Sequence, residues 1–323
     1  MKNWGTETVK RRDILKGIAA AGFLAAMPKS VLGDDASVFP KRGKWERLSL
    51  SCAHIELGAE KPFSLLHISD THLTAAYSHE DERSRKLSKL RTETFGGRQE
   101  EALRDSIAWA AKNSDLLLHT GDLIDFVTDA NLDLVKKYCP PNMFGAMGNH
   151  EYSRFMWLEK SSPTEEYKKL SAEALRKSFP FEISFASKVV NGVNFVSFDS
   201  VYGYVTQEQA DRFSDEVKKK LPIILCMHVP FYTDLICIAR KKFWQYGKRF
   251  TDARVPDAWG DQVRQLSDPT TAAFIKYLKT EPLLKGILAG HLHISMQERF
   301  SNTATQYLVA GNFLFHGREI TFS

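Results

Sequence analysis

Cysteine is scarce in this chain, and its placement rules out several chemistries. Only Cys52, Cys139, Cys226 and Cys237 occur in 323 residues. No pair has the close spacing of a zinc knuckle or a redox-active dithiol. One disulfide remains open on sequence grounds. Cys226 lies in the apolar run Ile223-Ile224-Leu225-Cys226-Met227 and reads as core. Internal repeats and low-complexity tracts are lacking as well, so neither a solenoid nor an extended linker is expected. The apolar stretch from Gly17 to Met27 has 11 residues. A membrane span needs about 20, so this stretch is too short to cross alone. A strong charge of one sign is missing from the body of the chain. The formal charge is +5, but residues 1–33 hold six basic side chains against Glu7 and Asp13, so +4 belongs to that segment and +1 to the rest. A basic footprint for nucleic acid is therefore absent.

The chain does have a three-part leader. Lys10-Arg11-Arg12 precedes the short apolar stretch, and small residues near Gly33 and Ala36 follow. This pattern predicts an export signal over residues 1–33 and a mature domain over residues 34–323. Arg11-Arg12-Asp13-Ile14-Leu15-Lys16 resembles the twin-arginine motif, with Lys10 at the usual Ser/Thr position and Ile14 at the usual Phe. The resemblance implies a periplasmic or extracellular protein that uses the twin-arginine translocation machinery and keeps no transmembrane anchor after processing.

Beyond the leader, buried apolar runs alternate with amphipathic segments. Strands are expected at 63–68, 116–118, 143–147, 193–198, 222–227 and 286–289. Helices are expected at 98–112, 129–138, 165–177, 207–220 and 270–279, with further strands between 295 and 322. This alternation argues for an α/β domain with helices packed on sheets. Residues 231–269 fit least well. They combine Arg240, Lys241, Lys242, Lys248, Arg249 and Arg254 with Phe243, Trp244, Tyr246 and Phe250, and read as an irregular segment: a lid over the substrate or a solvated loop.

Five short segments each follow or end an expected strand: Asp70-Thr71-His72, Gly121-Asp122, Gly148-Asn149-His150-Glu151, His228, and Gly290-His291-Leu292-His293. Ligand sites in α/β sheets lie at the carboxyl ends of strands, so these groups can converge. Carboxylate, imidazole and amide oxygen together suit zinc, manganese or iron. The glycines at 121, 148 and 290 are expected to let the backbone turn sharply before each ligand. Taken singly, each residue has a plainer role. Asp122 and Asp125 could cap a helix, and Asp125 is read that way. His54, His67, His79, His119 and His316 read as structural, with His119 near enough to Asp122 to support a ligand.

In this order, the five segments resemble the calcineurin-like metallophosphoesterase superfamily over residues 70–293. The resemblance implies two mixed β-sheets packed face to face and flanked by helices, and a pair of divalent or trivalent cations (Mn, Fe or Zn). Asp70, His72 and His293 would hold one cation, Asn149, His228 and His291 the other, and Asp122 would bridge both. Asn149 and His150 would contact the substrate, with His150 as general acid and Glu151 orienting it. Two cations about 3.5–4 Å apart would share a hydroxide for in-line attack on a phosphate ester. Gly121-Asp122-Leu123-Ile124-Asp125 lacks the Arg of Ser/Thr phosphatases and the Tyr of purple acid phosphatases. It is similar to the cyclic-nucleotide phosphodiesterase branch, although that branch has Asp where this chain has Glu151. The alternatives are an exported nuclease of the same superfamily, which the weak basic charge disfavours, and a non-catalytic metal-stabilised binding protein, which would have no need of His150.

Overall fold

The short buried runs form strands because their side chains alternate between two apolar layers. In a computed structural model, residues 47–140, 143–152, 165–247 and 265–323 are described. The expected export signal lies outside these residues. The first sheet has the order β1 (Ser49–Ile55), β11 (His316–Phe322), β2 (Phe63–Ile68), β3 (Leu116–His119) and β4 (Met143–Gly145). β2, β3 and β4 are parallel, β11 is antiparallel to β2, and β1 is parallel to β11. The second sheet has the order β5 (Phe185–Val190), β6 (Val193–Phe198), β7 (Ile223–Cys226), β8 (Leu284–Ala289), β10 (Thr305–Leu308) and β9 (Met296–Arg299). Its β6, β7, β8 and β10 are parallel, while β5 and β9 are antiparallel edges.

Seven helices are described: α1 (Glu82–Thr94), α2 (Gln99–Asn113), α3 (Asp129–Tyr138), α4 (Glu165–Ser178), α5 (Gln207–Val217), α6 (Asp234–Gly247) and α7 (Pro269–Leu278). Between the sheets, Leu65, Leu118 and Ile320 of the first meet Phe195, Ile224 and Leu288 of the second. One residue along each strand the side chains point the other way. Leu66 and Leu117 pack against Leu103 of α2, Val135 of α3 and Leu175 of α4. Val196, Leu225 and Ile287 pack against Phe213 of α5 and Phe274 of α7. Each such fully buried side chain contributes about 1.5–3 kcal/mol. The result is the expected pair of mixed sheets flanked by helices.

Several local expectations change. β1, β5 and α1 were not anticipated. α5 stops at Val217 rather than reaching Lys220, which has a left-handed φ of 57°. The segment expected to be irregular contains α6, and residues 248–264 lie outside the described residues. In α6, Ile236, Cys237 and Arg240 are buried while Leu235 and Ile238 are half exposed, so apolar residues occupy both faces and hide the helical period. All four cysteines are free thiols. Among the described residues, no helix is long and apolar enough to cross a membrane.

Candidate metal centre

Each expected site residue leaves the carboxyl end of a strand. Asp70 and His72 follow β2, Asp122 follows β3 and Asn149 follows β4; His228 follows β7, and His291 and His293 follow β8. The loops after β2 and β3 are laced together. Asp70 N–H donates to Gly121 O at 2.9 Å, His72 N–H to Asp122 O at 2.9 Å and Leu73 N–H to Leu123 O at 2.8 Å. This lacing holds unusual backbone: φ is 55° at Asp70, 53° at His72, 56° at Asp122, 68° at His291 and 55° at His293. A left-handed L-residue costs about 1–2 kcal/mol, and such strain concentrates at functional sites. The expectation of three turn-making glycines holds only at Gly121, whose φ is 97°. Gly148 and Gly290 are instead points of close approach. A Cβ on Gly148 would meet Asp122 Oδ1 and the Asp122 nitrogen. A Cβ on Gly290 would meet Ser69 Oγ and lie 2.6 Å from Asp70 Oδ2.

The side chains form two groups joined by one carboxylate. In the first, His293 Nε2 is 3.2 Å from both His72 Nε2 and Asp70 Oδ1, and His72 Nε2 is 4.0 Å from Asp70 Oδ1. In the second, Asn149 Oδ1 lies 3.2 Å from His228 Nε2 and 3.0 Å from His291 Nδ1, and those two nitrogens are 3.2 Å apart. Asp122 Oδ2 is 3.2 Å from His228 Nε2 and 3.8 Å from His72 Nε2, so it faces both groups. The donor set fits cations. His72 Nδ1 faces Asp125 Oδ1 at 2.9 Å and His228 Nδ1 faces Thr120 O at 2.7 Å, which leaves both Nε2 atoms turned inward. Asp70 Oδ1 is buried and accepts no hydrogen bond. Acceptors that converge without a donor call for positive charge. Burial would lower His228, but Asp122 pulls it up to about 10. Burial takes His72 down to about 4 despite its bond to Asp125. Burial opposes ionisation of Asp122, yet His228 and His150 hold it well below the usual carboxylate range.

A family profile described as calcineurin-like phosphoesterase matches residues 63–295. The chain belongs to the calcineurin-like phosphoesterase family. As a member it is a metal-dependent phosphoesterase. Solved structures similar to this phosphoesterase include a dimetal phosphatase from Danio rerio, with 16% identity over 78% of this chain and 88% of that one and a TM-score of 0.46. A 5'-nucleotidase from Candida albicans shares 16% identity over 81% of this chain and 47% of that one, with a TM-score of 0.35. The phosphoesterase thus spans about half the length of that nucleotidase. No curated protein sequence matches it significantly.

Around the ligands, the phosphoesterase uses residues that the sequence reading assigned otherwise. Asp125 is not a helix cap; Thr128 caps α3. Asp125 is fully buried and meets His150 Nδ1 at 2.8 Å, His72 Nδ1 at 2.9 Å, and Arg91 Nε and Nη2 at 2.5 and 3.0 Å. Asp125 therefore orients His150, the role expected of Glu151. The Glu151 carboxylate instead accepts backbone N–H groups of Asp122 at 3.0 Å, Leu123 at 2.6 Å, Ile124 at 3.2 Å and Gly148 at 2.7 Å. Burial and the Asp122 charge raise Glu151 to about 7, whereas four N–H donors favour its ionised form. His150 Nε2 lies 4.0 Å from Asp122 Oδ2. Burial would lower His150, but Asp122 and Asp125 raise it to about 9. Arg240 is buried on α6, close enough that its charge helps depress His291, after burial and His228. The Gly-Asp-x-x-Asp spacing was the available signal for Asp125; Arg240 stood out only as one of the basic residues of segment 231–269, and Arg91 had no signal.

Proposed function

We propose that the phosphoesterase hydrolyses phosphate esters at two cations, one held by Asp70, His72 and His293, the other by Asn149, His228 and His291, with Asp122 shared. The observation that carries this reading is Asp122 Oδ2 facing His228 Nε2 at 3.2 Å and His72 Nε2 at 3.8 Å. The bound cations supply Lewis acidity toward the attacking water and the phosphoryl oxygens. Mn, Fe and Zn all suit the donor set.

The protein's own groups do the rest. His150 carries its Nδ1 proton toward Asp125, which leaves Nε2–H on the substrate side to protonate the departing alkoxide. Arg91 fixes Asp125, and so fixes the ring. Asn149 turns Oδ1 toward His228 and His291, and its amide N–H donates to a phosphoryl oxygen. The buried Arg240 adds positive field on the His291 side, where an anionic ester would sit.

Residues 1–33 act as an export signal in this reading, supported by the Arg11-Arg12 pattern, so the mature enzyme spans 34–323 and works in the periplasm or outside the cell. Segment 231–269 serves as the lid, supported by its basic and aromatic composition. The test is hydrolysis of p-nitrophenyl phosphate and its bis-ester by manganese-loaded protein, with and without chelator. Turnover abolished by chelator and restored by manganese is expected; chelator-resistant turnover would overturn the reading. A reporter fusion tests export: loss of export on Arg11→Lys with Arg12→Lys is expected, and cytoplasmic retention of the parent refutes it.

A further inference from the structure

Behind the Asp70 and His72 loop runs a buried chain of hydrogen bonds with a single direction. Gly121 N–H donates to His119 Nδ1 at 3.2 Å. His119 must then carry its proton on Nε2, which donates to Thr71 Oγ1 at 2.9 Å. The Thr71 hydroxyl has one proton and gives it to Asn312 Oδ1 at 3.1 Å. Asn312 Nδ2 donates to Ser106 Oγ at 2.9 Å, and Ser106 donates to Ala102 O at 2.9 Å on α2. His119, Thr71, Asn312 and Ser106 are all buried.

Asn312 is the hub. It opens the 3-10 turn Asn312–Leu314, between β10 of one sheet and β11 of the other. Its second Nδ2 proton reaches His316 O at 3.2 Å. Its backbone N–H donates to Ser69 O at 2.8 Å, and Phe313 N–H donates to Asp70 O at 3.3 Å. The turn therefore grips the residue before Asp70, Asp70 itself, and Thr71 between the two ligands. Asp70 and His72 both have left-handed φ, at 55° and 53°, a conformation that Asp and His visit more often than most side chains but that still costs energy to hold. Thr71 cannot shift without breaking two links of a polarised chain.

We propose that Asn312, acting through the Thr71 hydroxyl, is a positioning residue that sets Asp70 and His72 for the cation they hold with His293. The proposal rests on the two-cation reading above. It assigns a role to a residue more than 15 positions beyond the last ligand, in a turn with no ligand of its own.

The experiment is calorimetric titration of Mn²⁺ into the chelator-stripped full chain. The parent should show two binding steps. Thr71→Val removes the hydroxyl at nearly constant volume and should weaken one step about 10–100-fold, the range for residues that orient a metal ligand. That step should be the one His293→Ala also loses, with the other within about threefold of the parent. Asn312→Asp, which replaces the Nδ2 donor by an acceptor, should act on the same step. Thr71→Ser keeps the hydroxyl and should restore it, a rescue that general destabilisation would not give. Unchanged steps in Thr71→Val, equal weakening of both, or failure of Thr71→Ser to restore binding would overturn the proposal. A parent that binds fewer than two ions overturns the two-cation reading, and this proposal with it.

Discussion

Replacing Asp125 with Asn keeps the side chain's shape and removes one buried charge. In the parent that charge faces Arg91 through two contacts at 2.5 and 3.0 Å, His72 at 2.9 Å and His150 at 2.8 Å. Arg91 has only 11% of its side chain exposed, so in the variant a largely buried guanidinium loses the charge of Asp125. Breaking a buried pair from one side costs about 3–5 kcal/mol. At roughly 2–4 °C per kcal/mol for a domain of this size, Tm should fall by about 10 °C. Burial opposes the Asp125 charge, but His150, His72 and Arg91 hold its carboxyl well below the ordinary range. The stabilisation is therefore present above the unfolded carboxylate value, near about pH 3.9, and is lost as pH falls through the lower folded value. Calorimetric melts at pH 7 should show the full gap between parent and variant, and the gap should narrow on strong acidification. Arg91→Met alone leaves Asp125 with its two imidazole partners and should cost less. The double variant should be more stable than the summed single effects predict, because neither charge is orphaned. Turnover should fall about 100-fold with the loss of His150 orientation. A variant that melts within 2 °C of the parent and keeps its kcat would refute the account of Asp125 as the hub beneath the site.

His150→Ala should retain both cations and lose about 10²–10⁴ in kcat, more for alkyl phosphates than for p-nitrophenyl phosphate, whose leaving group needs less protonation; metal content and a leaving-group series check this. The basic limb of kcat should lie above the ordinary imidazole value of about 6.5 and no higher than about 9, since Asp122 and Asp125 raise His150 against burial while bound cations offset the Asp122 part. Activity is lost as pH rises through that limb, and Asp125→Asn should move it to lower pH. Gly290→Ala inserts a Cβ against Ser69 Oγ and Asp70 Oδ2; overpacking of this kind costs about 1–3 kcal/mol, read by thermal melts, and should weaken cation binding as Asp70 is displaced.

The convergence of the site residues could be read from the sequence because carboxylate, amide and imidazole side chains are chemically unusual for strand ends. Asp70, His72, Asp122, Asn149, His228, His291 and His293 all meet in one cluster. The supporting residues could not be read, because their roles depend on distant partners. Asp125 looks like a cap until Arg91, 34 residues away, is seen beside it. Glu151 looks like a partner for its neighbour His150, yet it clamps the backbone of the Asp122 loop. Asn312 reads as a turn residue, and only the fold brings it to Thr71, 241 residues away. The central strands were legible from apolar runs buried on both sides. β1 and β5 were not, because their outward faces are exposed or half exposed and carry mixed residues. α6 was missed because its apolar residues follow no single stripe.

The cluster is divided between the two halves of the sandwich: Asp70, His72, Asp122 and Asn149 follow strands of one sheet, and His228, His291 and His293 follow strands of the other. An ion gripped from both sides is a rivet through the seam. Prying the layers apart means tearing out the ion, so a loaded molecule should resist shear and proteolysis at the strand ends, where a stripped one yields first.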